Sequence, residues 1–213
     1  MTQAVDSLLV VVLLLNFAIL GTSRLKAVIE RSAAQGVVLG ALVVLVHGGL
    51  GLKTAIVAGA TVLIKGLLIP MLLQRAMRDA EIRREIEPLI GYVASLVLGA
   101  LATGAALLFA RALPLAPGHV GSLLVPTSLA TVLTGFIVVC TRRKAISQVV
   151  GYLVLENGIF VMGLSLLDAM PFLVELGVLL DLLVGVFVIG IIINHISREF
   201  SSLDTARLRA LRE

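Results

Sequence analysis

The chain has 213 residues, 59% of them hydrophobic and only 14% charged, with a formal net charge of +4 at pH 7. Its mean hydropathy of +1.12 is far from that of a soluble domain and identifies a membrane protein. A single cysteine, Cys140, excludes an internal disulfide and a cysteine-based iron–sulfur or zinc centre.

A helix needs about 20 mainly apolar residues to cross the ~30 Å hydrocarbon layer, and seven runs meet that length: 5–22, 33–51, 54–74, 89–110, 120–140, 145–167 and 172–195. None shows the alternation of a membrane barrel strand, so an all-α membrane fold is expected. The first run, "SLLVVVLLLNFAILG", reads as a span and not as a cleaved signal peptide, because Arg24 and Lys26 follow it and no basic residue precedes it. Asn16 within it is expected to make an interhelical hydrogen bond. His47 and Lys53 fall near the outer end of the first hairpin, where snorkelling explains them. The third run continues into "QRAMRDAEIRREIEP", a helical extension ended by Pro88. Asp79 and Arg83 attract across one turn while Glu81 and Glu85 repel, so this extension gains little from its charges. Glu175 opens the seventh run, and Asn194 and His195 close it. The tail "SSLDTARLRALRE" has length for one or two amphipathic turns.

Basic residues assign the orientation. Fourteen Lys and Arg fall in the alternate connections that include Arg24, Arg83, Arg142 and Arg209, against two, Lys53 and Arg111, on the other side. The positive-inside rule then puts the N-terminus outside and the C-terminus in the cytoplasm, which requires an odd number of spans. The net charge is topological, and no nucleic-acid partner is implied.

A short echo suggests duplication. "SRLKAV" at 23–28 and "TRRKAI" at 141–146 are offset by 118 residues, and Lys65 and Asp181 by 116. The expected organisation is an N-terminal three-helix unit with its connector at 1–88, a linking fourth helix at 89–118, a second three-helix unit at 119–200 and a cytoplasmic tail at 201–213. With one helix between them, the two units form a parallel repeat.

Three ionisable side chains lie deep within spans: Lys65, Glu156 and Asp181. At 1.5 Å per residue Glu156 is ~18 Å beyond Lys144, and Asp181 ~25 Å from Arg198. A central Asp, Lys or Arg costs roughly 2.5–3.5 kcal/mol on insertion scales, so each should face protein and not lipid. Gln148, Tyr152 and Glu156 recur every four residues, a polar stripe from the basic loop to the carboxylate. Gly177, Asp181 and Gly185 share a face, as do Ala58, Thr61 and Lys65. Lys65 could pair with one acid simply to fix helix packing, yet one lysine does not neutralise two carboxylates. A carboxylate out of water without a full counter-charge is able to take up and release a proton near neutral pH. The expected proton path is Glu156, Asp181 and Lys65, with Gln148, Tyr152 and His195 as possible access groups. No catalytic, metal or cofactor motif occurs in a credible context.

The stretches "TRRKAISQVVGYLVLENGIFVMG" and "FLVELGVLLDLLVGVFVIGIIINHI" resemble the three-helix K-type membrane subunit of respiratory complex I and the C-type subunit of multisubunit cation/proton antiporters. Glu156 matches that family's first acid and Asp181 takes the place of the second, with Asp for Glu; Asn157 follows Glu156 directly, where the family has a helical turn between them. The seven-span length, with "GYLVLENGI", resembles hydrogenase-4 component E of formate hydrogenlyase-type hydrogenases. The resemblance implies a multi-pass, non-catalytic subunit in a bacterial or archaeal cell (inner) membrane, beside antiporter-like subunits. It further implies a part in proton translocation, with no cofactor of its own and the redox chemistry elsewhere. A stand-alone small-ion or solute transporter and a passive assembly scaffold are the alternatives.

Overall fold

The computed structural model describes residues 2–46, 51–79, 88–113 and 122–165. Among them the chain is helical throughout, with no strands. The helices are α1 (Thr2–Leu20), α2 (Leu25–Val46), α3 (Leu52–Thr61), α4 (Ile69–Asp79), α5 (Tyr92–Ala112), α6 (Leu124–Thr141) and α7 (Ala145–Ser165). A π-helical segment, Val62–Leu68, joins α3 to α4 in one rod. Among the described residues six helices, counting the rod as one, are apolar and long enough to cross a membrane. The expected seventh span, with Glu175, Asp181, Asn194 and His195, lies outside the described residues, as do His47, residues 80–87 of the extension and the tail.

Helix limits follow the apolar runs except at two places. The second span was expected from residue 33, but α2 starts at Leu25. Its first turns absorb their charges: Lys26 pairs with Glu30 at 3.7 Å, and Arg31 Nη1 donates to the Ala18 carbonyl of α1. The third span contains the π segment, in which the Ile69 N–H reaches back five residues to the Ile64 carbonyl. Pro70 accounts for it: lacking an N–H and pressing on the preceding turn, it leaves the backbone to relax by widening there, without a break. Pro126 falls in the first turn of α6, where no donor is needed. The start of that helix is closed by Ser122 Oγ, which accepts from Leu124 N–H at 3.2 Å, and by Asp6 Oδ1, which accepts from Leu123 N–H at 3.2 Å.

Three contacts make α1 and α6 parallel neighbours. Asp6 touches the start of α6, Asn16 donates to Thr131 midway at 2.9 Å, and Arg142, just past α6, donates to the Leu20 carbonyl at 3.0 Å. The rod runs antiparallel to α2, with Gly36 against Lys65 and Gly40 against Val62. A Cβ on Gly36 would stand 2.7 Å from Lys65 Cβ, so only glycine lets α2 approach the π segment this closely. Gly158 does the same between α7 and α6, where a Cβ would come within 2.6 Å of Val132 N. The α1–α2 turn, the end of α4 and the α6–α7 turn therefore share one end of the bundle, which gathers Arg24, Arg31, Arg75, Arg78, Arg142 and Arg143, while Arg111 lies at the other.

Arg142 is buried at that basic end. Its Nη2 also donates to Ser95 Oγ at 3.4 Å, and its guanidinium lies over the Tyr92 ring at 4.6 Å, tying α5 to α1 and α6. Lysine lacks the planar guanidinium that stacks on the Tyr92 ring while its Nη2 reaches both acceptors. Arg142→Lys should therefore lower the unfolding free energy in detergent by about 1.5–3 kcal/mol, the value of hydrogen bonds to a charged group. An equilibrium unfolding titration monitored by helix content measures this.

Candidate functional site

Two apolar clusters divide the bundle along its length. One, toward the basic end, contains Ile19, Leu20, Ile29, Leu73, Val138 and Val154. The other contains Leu9, Val12, Leu39, Leu42, Leu124 and Val161. Between them lies a layer of polar side chains drawn from α1, α2, the π segment, α6 and α7. In α1 Asn16 separates Ile19 from Val12; in α2 Gln35 separates Ile29 from Leu39; in α6 Thr131 separates Val138 from Leu124. The rod contributes Lys65, and α7 contributes Glu156 and Asn157. All are buried: Gln35 and Thr131 at 0% exposure, Asn16 and Asn157 at 2%, Glu156 at 5% and Lys65 at 8%.

These side chains are hydrogen-bonded to one another. Lys65 Nζ lies 3.4 Å from Glu156 Oε1 and donates to Asn157 Oδ1 at 3.3 Å. The Phe160 ring covers the same ammonium, its centroid 5.1 Å away. Asn157 Nδ2 donates to Gln35 Oε1 at 3.2 Å, and Gln35 Nε2 to Asn16 Oδ1 at 2.7 Å and to the Val12 carbonyl at 3.4 Å. Asn16 Nδ2 donates to Thr131 Oγ1, which passes its own proton to the Thr127 carbonyl at 2.7 Å. Each such bond is worth on the order of 1 kcal/mol net, whereas a buried polar group left without one costs about 1–3 kcal/mol.

The local backbone aims these groups. The π segment adds an extra residue to a turn, yet Ala58, Thr61 and Lys65 all remain on the buried side. Gly36 opens the space for the Lys65 stem, one residue after Gln35. On α7, Glu156 and Asn157 are consecutive, so their side chains diverge by about 100° and Lys65 reaches both.

Of the expected proton-path residues, Lys65 and Glu156 are thus brought together, and Lys65 is the partner of Glu156. Asp181 and His195 lie outside the described residues. Gln148 and Tyr152 do not join the layer: Gln148 is exposed and its Nε2 donates to the Arg142 carbonyl at 3.0 Å, while Tyr152 is 38% exposed. An i, i+4, i+8 series drifts ~40° per step around a helix, enough to carry Gln148 and Tyr152 off the face that buries Glu156. Asn16 makes the interhelical bond expected of it. Gln35 and Thr131 were missed. Placing the second span from residue 33 put Gln35 at its margin, whereas a helix from Leu25 carries it ~15 Å inward. Among the described residues no group of three or more His, Cys, Asp or Glu is placed to hold a metal ion.

No family model matches the chain, and no solved structure matches it. "Hydrogenase-4 component E" of Escherichia coli K12 is 29% identical over 150 residues, 70% of this chain and 68% of that protein, and its Shigella flexneri counterpart matches equally. "Uncharacterized protein Rv0085" of Mycobacterium tuberculosis is 36% identical over 193 residues, 89% of this chain and 87% of that protein. At that identity and coverage, this chain, with six membrane-length helices and a buried polar layer among its described residues, belongs to the same family as Rv0085.

Proposed function

We propose that this chain is an integral membrane subunit of an energy-converting oxidoreductase complex of the membrane-bound hydrogenase type, and that its Lys65–Glu156 pair serves proton translocation or coupling. One observation carries the reading: a lysine and a glutamate, both buried, stand 3.4 Å apart midway along helices suited to hydrocarbon. An apolar pair of similar volume would commonly pack there at no loss of stability. Retaining the charges is intelligible when they are used. The similarity to hydrogenase-4 component E supports the kind of complex.

In this reading the redox step belongs to partner subunits, antiporter-like ones among them, and this chain moves charge only. The apolar clusters on either side of the polar layer favour transfer within the membrane plane, from Glu156 toward a neighbouring group, over a straight path through this bundle. Asp181 is the proposed second acid, in a seventh span. The basic end of the bundle faces the cytoplasm, which sets the N-terminus outside and the C-terminus inside a cell (inner) membrane.

Glu156→Gln keeps the shape of the side chain and removes its proton chemistry. In the assembled complex, coupled proton movement should fall by about 10²-fold or more, the usual scale for a lost acid–base group, while electron transfer to an artificial acceptor persists. Proton uptake per electron, measured in sealed vesicles, is the readout; pumping at normal stoichiometry would refute the relay.

A scaffold role has one observation in its favour, because the pair is internally matched and joined to a network that ties five helical elements together. Lys65→Met alone should cost about 3–5 kcal/mol of unfolding free energy, and adding Glu156→Leu should recover most of it. With both charges gone, the relay reading expects an assembled complex that no longer couples. Normal coupling in that double variant would leave the pair a packing device.

A further inference from the structure

The polar layer has a direction, and side-chain chemistry dictates it. An ammonium has three donors and no acceptor, so the Asn157 atom facing Lys65 is Oδ1. Asn157 then has only Nδ2 to offer α2, and Gln35 meets it with Oε1. Gln35 is left with Nε2 for α1, where Asn16 presents Oδ1. Asn16 Nδ2 occupies the Thr131 oxygen, which sends its hydroxyl proton to the Thr127 carbonyl. Every amide in the row turns its carbonyl toward Lys65 and its NH2 away.

Hydrogen bonds in a head-to-tail row polarise one another, and the effect is larger in a medium of low dielectric. Behind a cation, such a row does the work of a hydration shell spread over α7, α2, α1 and α6. The opposite orientation would set the Asn157 NH2 against the ammonium, donor facing donor.

The geometry points to Asn157, Gln35, Asn16 and Thr131 as positioning residues: an oriented amide chain that solvates Lys65 as a cation beside Glu156 and carries the state of that charge across the bundle to α1 and α6. Its bearing on proton movement rests on the function proposed above, but the electrostatic claim stands or falls by itself. Changes at Lys65 reach Asn16 through two intervening amides, although the ammonium does not touch Asn16.

The test is solid-state NMR of the full chain in lipid bilayers, reading the side-chain amide signals of Gln35 and Asn16, each assigned by its loss in Gln35→Leu and Asn16→Leu. Lys65→Met should move both sets upfield as the row loses its cation. Lys65→Arg, still a donor-only cation, should leave them near their original positions. Adding Asn157→Leu to Lys65→Met takes the next donor out of the row and should move the Asn16 signals further in the same direction. Since Lys65→Met alone strands Glu156, the same spectra are taken on Lys65→Met/Glu156→Leu, where both charges are absent and folding is expected. Unmoved Gln35 and Asn16 signals in that variant, with native backbone resonances, overturn the proposal, as does an equal shift in Lys65→Arg. Neither result depends on whether the complex pumps.

Discussion

Hydrocarbon offers no hydrogen-bond partner, and this constraint organises the bundle more than any apolar contact does. Lipid tails are as apolar as the leucines and valines facing them, so burying those residues against one another gives little preference for one helix rotation over another. A buried amide or ammonium is different, because each unmade bond costs about 1–3 kcal/mol. Lys65, Asn157, Gln35, Asn16 and Thr131 meet that requirement only in one arrangement of α1, α2, the π segment, α6 and α7. Rotating any one of these helices by a residue would break a link and strand two groups.

Close approach makes the arrangement reachable. Gly36 brings α2 onto the backbone beside Lys65, and Gly158 brings α7 onto α6 next to the Ser128 carbonyl. The π turn supplies the rest, since a regular helix interrupted by Pro70 would have had to kink. The wide turn falls where the charged side chain leaves the rod, so one irregularity of backbone serves both packing and the site.

The layer lies across the bundle, closed on both sides by apolar clusters. Arg142 closes the basic end separately, through Leu20, Ser95 and Tyr92. Among the described residues buried charge is therefore held at two levels: a cation at the basic end that binds helix ends together, and an ion pair at mid-bundle inside an oriented polar row. The first joins helix ends, and the second is the pair proposed to serve proton movement.

Composition and the spacing of apolar runs were enough to indicate a helical membrane protein, the places of the six spans found among the described residues, though not the start of the second, and the burial of Lys65 and Glu156, because those features depend on how many consecutive residues water rejects. The sequence also singled out Asn16, since one amide amid Leu and Phe has no partner in lipid. It did not reveal that Lys65 pairs with Glu156, that Gln35 and Asn157 link them to Asn16 and Thr131, or that Gln148 and Tyr152 turn outward. Those facts depend on which helices are neighbours and how each is rotated. Periodicity along one helix carries no information about the helix beside it, so only the tertiary structure decided which polar groups meet.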